Sequence, residues 1–163
     1  MAASRNTRYH EAAHAVAAHV LGIELEEEAM VLNSDRDACV NVVAKPPDDA
    51  DEDWFTKRVA VKLAGPLAMC RLRGEKLHWD TMRPSGEYHT DFEDSLKLFK
   101  SYGNIVGRVF SSDELDQQMN RAACIATKCV QTNQAAIVAL TDATEGKDRF
   151  SRTQIIACIQ ACQ

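Results

Sequence analysis

This sequence of 163 residues lacks the features that mark several classes of protein. No apolar run approaches the roughly 20 residues of a membrane-spanning helix, so no membrane segment is predicted. The N-terminus has no apolar core of a signal peptide, because the alanine-rich stretch behind it carries three histidines and one glutamate. We therefore expect a cytoplasmic protein.

The chain also lacks a net positive charge and has few aromatic residues. The net charge is −5, and aromatic residues make up 6% of the chain. Proteins that bind nucleic acid or anionic membranes usually carry a basic surface, often with aromatic residues among the cations. Neither partner is predicted here.

The six cysteines form no C-x-x-C pair. In a reducing compartment we expect them to be mostly buried, small apolar residues rather than disulfides or ligands of a second metal site. Two pairs on helix-like segments near the C-terminus are the candidates for any pairing: Cys124 with Cys129, and Cys158 with Cys162.

Apolar periodicity predicts a mainly helical α+β fold, a single domain of residues 1–163 with a small β-hairpin or edge strand. We expect helices at residues 5–21 and 52–72, from about 90, at about 112–132 and after 151. Extended segments are expected at 29–33 and 39–44, where β-branched residues are frequent.

Local signals predict where these helices begin and end. Asn6 or Thr7 is expected to cap the first helix, and Gly103 to end the third. Pro66 predicts a kink or a restart within the second helix. Capping boxes are predicted in three segments, namely Thr90-x-x-Glu93, Ser111-x-x-Glu114 and Ser151-x-x-Gln154.

The first predicted helix carries the most specific motif, which is His10-Glu11-Ala12-Ala13-His14. Histidines four residues apart leave the same face of a helix one turn apart, and two such imidazoles can hold one Zn²⁺. Glu11 lies beside that face, where a general base can deprotonate a zinc-activated water. His19 lies on a different face and is expected to be structural or exposed.

A catalytic zinc needs a third protein ligand, and the compact H-E-x-x-H-x-x-G-x-x-H pattern is absent. The remaining candidates lie further along the chain, at His78, Asp80, Glu87, His89, Asp91 and Asp94. A residue held by a helix is favoured on physical grounds. Asp91 lies in the first turn of the third predicted helix, where a carboxylate more often interacts with the helix dipole than with a metal.

Three segments together resemble the peptidase domain of the FtsH family of ATP-dependent zinc metalloproteases. They are Tyr9-His10-Glu11-Ala12-Ala13-His14-Ala15-Val16, Leu63-Ala64-Gly65-Pro66-Leu67-Ala68 and Thr90-Asp91-Phe92-Glu93-Asp94-Ser95. The resemblance extends over most of residues 8–160, although only the histidine motif is specific. It implies an FtsH-like fold and makes Asp91 the favoured third zinc ligand.

The chain also departs from that family. Ala13 replaces a glycine, Pro66 an arginine, and Met69 stands where an acidic residue is usual. No counterpart of the family's AAA ATPase module or membrane segments is present in the 163 residues. We therefore expect a stand-alone FtsH-like peptidase domain, with a homo-oligomer and a separate ATPase as possible partners implied by the resemblance.

The sequence thus predicts a zinc metalloendopeptidase of the HExxH type that acts on peptides or unfolded proteins. His10, His14 and Asp91 would hold Zn²⁺, and Glu11 would be the catalytic base. The alternative is a catalytically silent zinc-binding or regulatory module derived from such a peptidase. A third possibility is a hydrolase that attacks a bond other than a peptide bond, since the same chemistry serves many hydrolyses.

Overall fold

The computed structural model describes residues 3–75 and 88–162. Helices dominate this part of the chain: α1 Arg5–Val20, α2 Glu52–Leu72, α3 His89–Ile105, α4 Ser112–Thr132, α5 Gln134–Ala143 and α6 Arg152–Gln160. Three strands accompany them: β1 Leu25–Ser34, β2 Asp37–Val42 and β3 Arg149–Phe150. The predicted mainly helical α+β fold is therefore confirmed.

The strands form one antiparallel sheet in the order β2-β1-β3. The predicted hairpin is present, with Met30 opposite Val40, but both of its strands begin earlier than the sequence indicates. The short strand β3 was not predicted; it pairs with β1 on the other side. As a result β2 is an outer strand of the sheet.

Buried apolar side chains form two core clusters. The first core cluster joins the alanines of α1 to the sheet and to α5 and α6, and includes Met30 and Ile155. The second core cluster joins α2, α3 and α4 through larger side chains such as Leu63, Phe99 and Met119. Helix α2 contributes residues to both clusters, so it lies between α1 on one side and α3 and α4 on the other.

The N-terminus of α1 differs from the prediction. The helix is capped by Ser4, whose Oγ accepts a hydrogen bond from the Thr7 backbone N–H, and not by Asn6 or Thr7. The hydroxyl of Thr7 instead donates to Asp35 in the hairpin, and the Ser4 backbone N–H donates to the same carboxylate oxygen. A tertiary contact therefore decides which of the competent capping residues is used.

The limits of α3 also differ. Its N-cap is Tyr88, so Thr90 lies inside the first turn and forms no capping box. The helix passes through Gly103 and ends at Ile105, before Gly107 in the left-handed conformation with φ 66°. At Gly103 an added Cβ would lie 2.5 Å from the carbonyl oxygen of Arg108. That glycine therefore permits a close contact within the structure and does not end the helix.

Of the other local predictions, two capping boxes are confirmed, whereas the restart predicted as an alternative to a kink at Pro66 does not occur. Ser111 and Ser151 form both halves of their capping boxes with Glu114 and Gln154. Helix α2 runs continuously across Pro66 and does not restart there. Within residues 3–75 and 88–162, no helix combines the length and apolar character that crossing a membrane requires.

The cysteines agree with the prediction only in part. All six are free thiols, so neither predicted candidate pair forms a disulfide. Only Cys70 and Cys129 are buried, whereas Cys39, Cys124 and Cys162 are exposed and Cys158 is intermediate. The expectation that most of them fill the core is therefore wrong, because several lie on the polar sides of their helices or on the outer strand.

Candidate metal centre

Helix α1 brings two imidazoles to one face. His10 and His14 are one turn apart, and their Nε2 atoms lie 2.9 Å from each other. Their side chains are 16% and 7% exposed, so the pair is set into the molecule and still reaches an opening. The alanines between and behind them are buried and keep the helix close to its neighbours.

Asp91 completes a cluster of three ligand-type side chains. Its Oδ2 lies 3.2 Å from Nε2 of His10 and 3.6 Å from Nε2 of His14. The carboxylate comes from the first turn of α3, which places it opposite α1. His10, His14 and Asp91, the three ligands predicted from the sequence, thus converge at one point.

The spacing of these atoms fits a metal ion. Ligand atoms about 2.0–2.1 Å from a tetrahedral ion lie roughly 3.3 Å from one another. The three distances in the cluster, 2.9, 3.2 and 3.6 Å, bracket that separation. Two imidazoles and one carboxylate therefore surround a position that an ion of this size can take with small adjustments of the side chains.

The orientation of His14 is set by a backbone group. Its Nδ1 lies 2.7 Å from the carbonyl oxygen of Val61 on α2. A carbonyl oxygen only accepts, so Nδ1 carries the proton and donates it. In the neutral ring this leaves the lone pair of Nε2 directed at the cluster, as metal-binding histidines require.

Gly65 allows α2 to pass directly over the histidine pair. A Cβ built at this position would lie 2.4 Å from Nε2 of His14 and 2.7 Å from Cε1 of His10. No side chain can occupy this space while the imidazoles keep their positions. The requirement at Gly65 is therefore steric, since its φ is that of an ordinary helix.

Tyr88 and Met69 form the walls beside the cluster. The ring of Tyr88 is parallel to that of His10, with centroids 5.9 Å apart and an angle of 4° between the planes. Met69 is buried in the first core cluster and also lines the opening, so an apolar side chain stands where the resemblance implies an acidic one. One side of His10 is thus covered by an aromatic ring.

Glu11 lies beside the cluster and not within it. Its Oε1 is 4.0 Å from Nε2 of His10. The residue is only 7% exposed. A carboxylate at this distance is suitably placed to exchange a proton with a small molecule held at the cluster.

The three cluster side chains interact electrostatically. Burial opposes protonation of His14, but the Asp91 carboxylate and its hydrogen bond outweigh burial and raise the pKa of His14 above its usual value. Burial likewise disfavours the charged form of Asp91, yet His14 and His10 more than offset it and hold the pKa of Asp91 far below its usual value. Asp91 is therefore an anion at neutral pH, as a metal ligand must be.

The cluster lies at the bottom of a cleft of about 480 Å³ between α1, α2, the start of α3 and β2. Strand β2 lines one side of it through Ala38, Cys39, Val40 and Val42. In the described part of the chain, no backbone hydrogen bond is formed on the outer edge of β2. An extended chain could therefore pair with this edge above the cluster.

The other ligand candidates predicted from the sequence lie elsewhere or outside the described residues. His78, Asp80 and Glu87 fall in the part of the chain that the structure does not describe. His89 is exposed and pairs with Glu93 at 3.3 Å, while Asp94 pairs with Lys62 and Lys97. His19 is on another face of α1, away from the cluster, as predicted.

The sequence did not predict the roles of Val61, Gly65, Tyr88 or Lys62 at this site. Val61 acts through its backbone carbonyl, for which the side chain carries no signal. Gly65 could have been found from its position in the second segment of the family resemblance. The roles of Tyr88 and Lys62 depend on which elements surround the cleft, and the sequence does not show this.

Comparison with the models of known protein families and with curated protein sequences gives no match for this chain.

Proposed function

We propose that the chain is a zinc-dependent metallopeptidase of the HExxH type. The observation that carries the proposal is the convergence of His10, His14 and Asp91, with Glu11 beside them at the bottom of an open cleft. Two histidines and one carboxylate are the protein ligands of a well-known class of catalytic zinc sites. The family resemblance of the sequence motifs supports the same assignment.

The donor set favours zinc over the harder cations. Mg²⁺ and Ca²⁺ prefer oxygen ligands, whereas two imidazoles suit zinc and other transition metals. When bound, zinc supplies Lewis acidity, which lowers the pKa of a coordinated water and polarises a carbonyl group. A ligand set of three protein groups leaves room for substrate or water in the fourth position.

Glu11 would be the general base. Its carboxylate would accept a proton from the attacking water as the new bond from oxygen to the carbonyl carbon forms. It would then give that proton to the leaving amine as the bond from carbon to nitrogen breaks, so the step balances without any other reactant. Glu11 is only 7% exposed, so little bulk water reaches its carboxylate.

The free edge of β2 would bind the substrate. A peptide in extended conformation can add to this edge through backbone hydrogen bonds, which depend little on its sequence. Such pairing would carry the peptide along the cleft and place one of its carbonyl groups near the cluster. A folded segment could not pair in this way, so we expect unfolded proteins or peptides as substrates.

The test is a comparison of two isosteric substitutions. In Glu11→Gln the base is neutralised, whereas in Glu93→Gln a carboxylate on α3 that pairs with His89 is neutralised. We expect about one zinc per chain in all three proteins. Cleavage of an unfolded protein substrate should fall by about 10²–10⁴-fold in Glu11→Gln, the usual contribution of a general base, and stay near wild type in Glu93→Gln.

Three outcomes would reject the proposal or part of it. Absence of bound metal after purification with added zinc rejects the centre. Full activity in Glu11→Gln rejects the mechanism. Stoichiometric zinc without cleavage of any peptide by the wild type rejects the peptidase and favours the alternative, a silent zinc-binding module.

A further inference from the structure

The cleft contains a lysine that the proposed reaction does not use. Lys62 follows Val61 on α2 and lines the cleft beside the cluster. Its side chain is 30% exposed, and its ammonium lies 3.4 Å from Oδ2 of Asp94 on α3. The position next to Val61, whose carbonyl holds His14, ties Lys62 to the same turn of helix that supports the centre.

The charge of Lys62 acts on groups at both sides of the cleft. Burial raises the pKa of the Cys39 thiol, with help from Glu11, and the Lys62 ammonium acts in the opposite direction. The same ammonium also opposes protonation of His14, whose pKa is nevertheless raised by Asp91. Cys39 lies on β2 and His14 on α1, so the charge of Lys62 reaches both walls.

The partner of Lys62 does not neutralise it fully. Asp94 is shared between two ammonium groups, with Lys97 at 3.1 Å from Oδ1 and Lys62 at 3.4 Å from Oδ2. One carboxylate and two ammonium groups leave one net positive charge. Lys97 is 69% exposed and does not line the cleft, so of the two ammonium groups on Asp94 it is Lys62 that is presented to a bound chain; Arg36 of the hairpin also lines the cleft.

We infer that Lys62 is a specificity-determining residue that binds a carboxylate of the substrate, and this rests on the proposed function of the cleft. Side chains of an extended peptide on β2 alternate between two directions, so those that point toward α2 approach Lys62. The carboxylate could belong to an acidic side chain near the scissile bond or to the C-terminus of the substrate. A charge-assisted hydrogen bond is the interaction that an ammonium and a carboxylate form in such a site.

Peptide binding tests this inference without requiring turnover. In the zinc-loaded Glu11→Gln protein, fluorescence anisotropy would give Kd for a short labelled peptide in which each position is changed in turn to Glu, Gln or Lys. Each peptide is used with a free and with an amidated C-terminus. We expect one arrangement with a carboxylate to bind about five- to tenfold more tightly than its neutral counterpart.

Substitutions on the two lysines assign the effect. Lys62→Met keeps most of the side-chain volume and should remove the preference for a carboxylate. Lys97→Met leaves Asp94 to Lys62 alone, so by the same charge count it should weaken the preference without removing it. Lys62→Glu should reverse the preference toward the Lys peptide. Thermal melting and zinc content verify that each variant is folded and loaded.

The outcomes separate this inference from the proposed function. A preference that is lost on amidation identifies the C-terminal carboxylate, and one that follows a Glu residue identifies a side chain. Equal binding of charged and neutral peptides, no binding of any peptide, or a preference that survives in Lys62→Met would overturn the role of Lys62. If the preference is present but the wild type cleaves nothing, carboxylate recognition stands and hydrolysis is rejected.

Discussion

Helix α1 and the second core cluster pack through side chains of different size. In the first core cluster, α1 contributes mainly alanines, such as Ala12 and Ala15. In the second core cluster, α2, α3 and α4 meet through large side chains, among them Phe99 and Met119. The candidate metal centre lies between the two, with its histidines on α1 and its carboxylate on α3.

Large and small side chains contribute differently: the large ones supply stability, and the small ones let helices approach closely. Burial of a Leu, Phe or Met side chain contributes about 1.5–3 kcal/mol, and an alanine contributes much less, so the large side chains of the second core cluster each supply more stability than the alanines of α1. Small residues instead let helices approach closely, as the contact of Gly65 with both imidazoles requires. We therefore expect substitutions in the second core cluster to change stability and those at Gly65 to change the centre.

The largest expected effect is on stability. Met119 is fully buried in the second core cluster, on a helix that carries none of the cluster ligands. Met119→Ala should lower the free energy of unfolding by about 2–5 kcal/mol, because the lost contacts leave a cavity. Denaturant unfolding measures this loss, and zinc titration of the folded variant should give an affinity close to that of the wild type. A large loss of zinc affinity would show that the two clusters are not separable.

A smaller effect, but one directed at the centre, is expected from Gly65→Ala. The new Cβ would lie within 3 Å of both imidazoles, so the rings must shift and the ligand atoms lose their spacing. Disturbing the groups that support metal ligands typically costs about 10–100-fold in affinity. Zinc titration measures this change.

Gly103→Ala is the matched control for that substitution. It also adds a Cβ at a helical glycine, less than 3 Å from a neighbouring atom. Here the neighbour is the carbonyl oxygen of Arg108, which is not a ligand and is not adjacent to one in the sequence. This variant should lose stability and keep its zinc affinity. If both glycine variants bind zinc equally well, close packing on α2 is not what positions the histidines.

Where the fold was predicted correctly, the determining interactions are mostly local. The capping boxes at Ser111 and Ser151 use residues three apart, and both form as predicted. The cap of α1 was misplaced because Ser4, Asn6 and Thr7 are all competent, and the choice depends on Asp35 in a distant hairpin. The unpredicted strand β3 likewise exists only through its pairing with β1.

The candidate site was likewise predictable only where it depends on local spacing. Helical spacing places His10 and His14 on one face, and Glu11 beside them, without reference to the rest of the chain. Asp91 was one of six candidates on physical grounds, and only the family resemblance singled it out. The carbonyl of Val61 and the cationic group of Lys62 could not be predicted, since both depend on how α2 packs against α1 and α3.

The smallest expected effect is a dependence of stability on pH. Its sign should differ between the metal-free and the zinc-bound protein. In the metal-free protein, the pKa of His14 is raised above 6.5 because Asp91 outweighs the effect of burial. A raised pKa contributes stability that is fully present below the unfolded value and is lost as the pH rises through the folded value. The metal-free protein should therefore become less stable above pH 6.5, up to the folded pKa.

With zinc the direction reverses, because the metal needs the unprotonated ring and binding releases the proton. Zinc affinity should be highest above the raised pKa of His14 and fall by up to about tenfold for each pH unit below it. Thermal unfolding between pH 6 and 8, in chelator and in excess zinc, gives the slope of stability against pH for each form. Val61, whose carbonyl accepts from His14, belongs to the first core cluster, whereas Met119 belongs to the second, so Met119→Ala should lower stability in both forms without changing either slope. Parallel slopes in chelator and in zinc would contradict the assignment of His14 as a ligand.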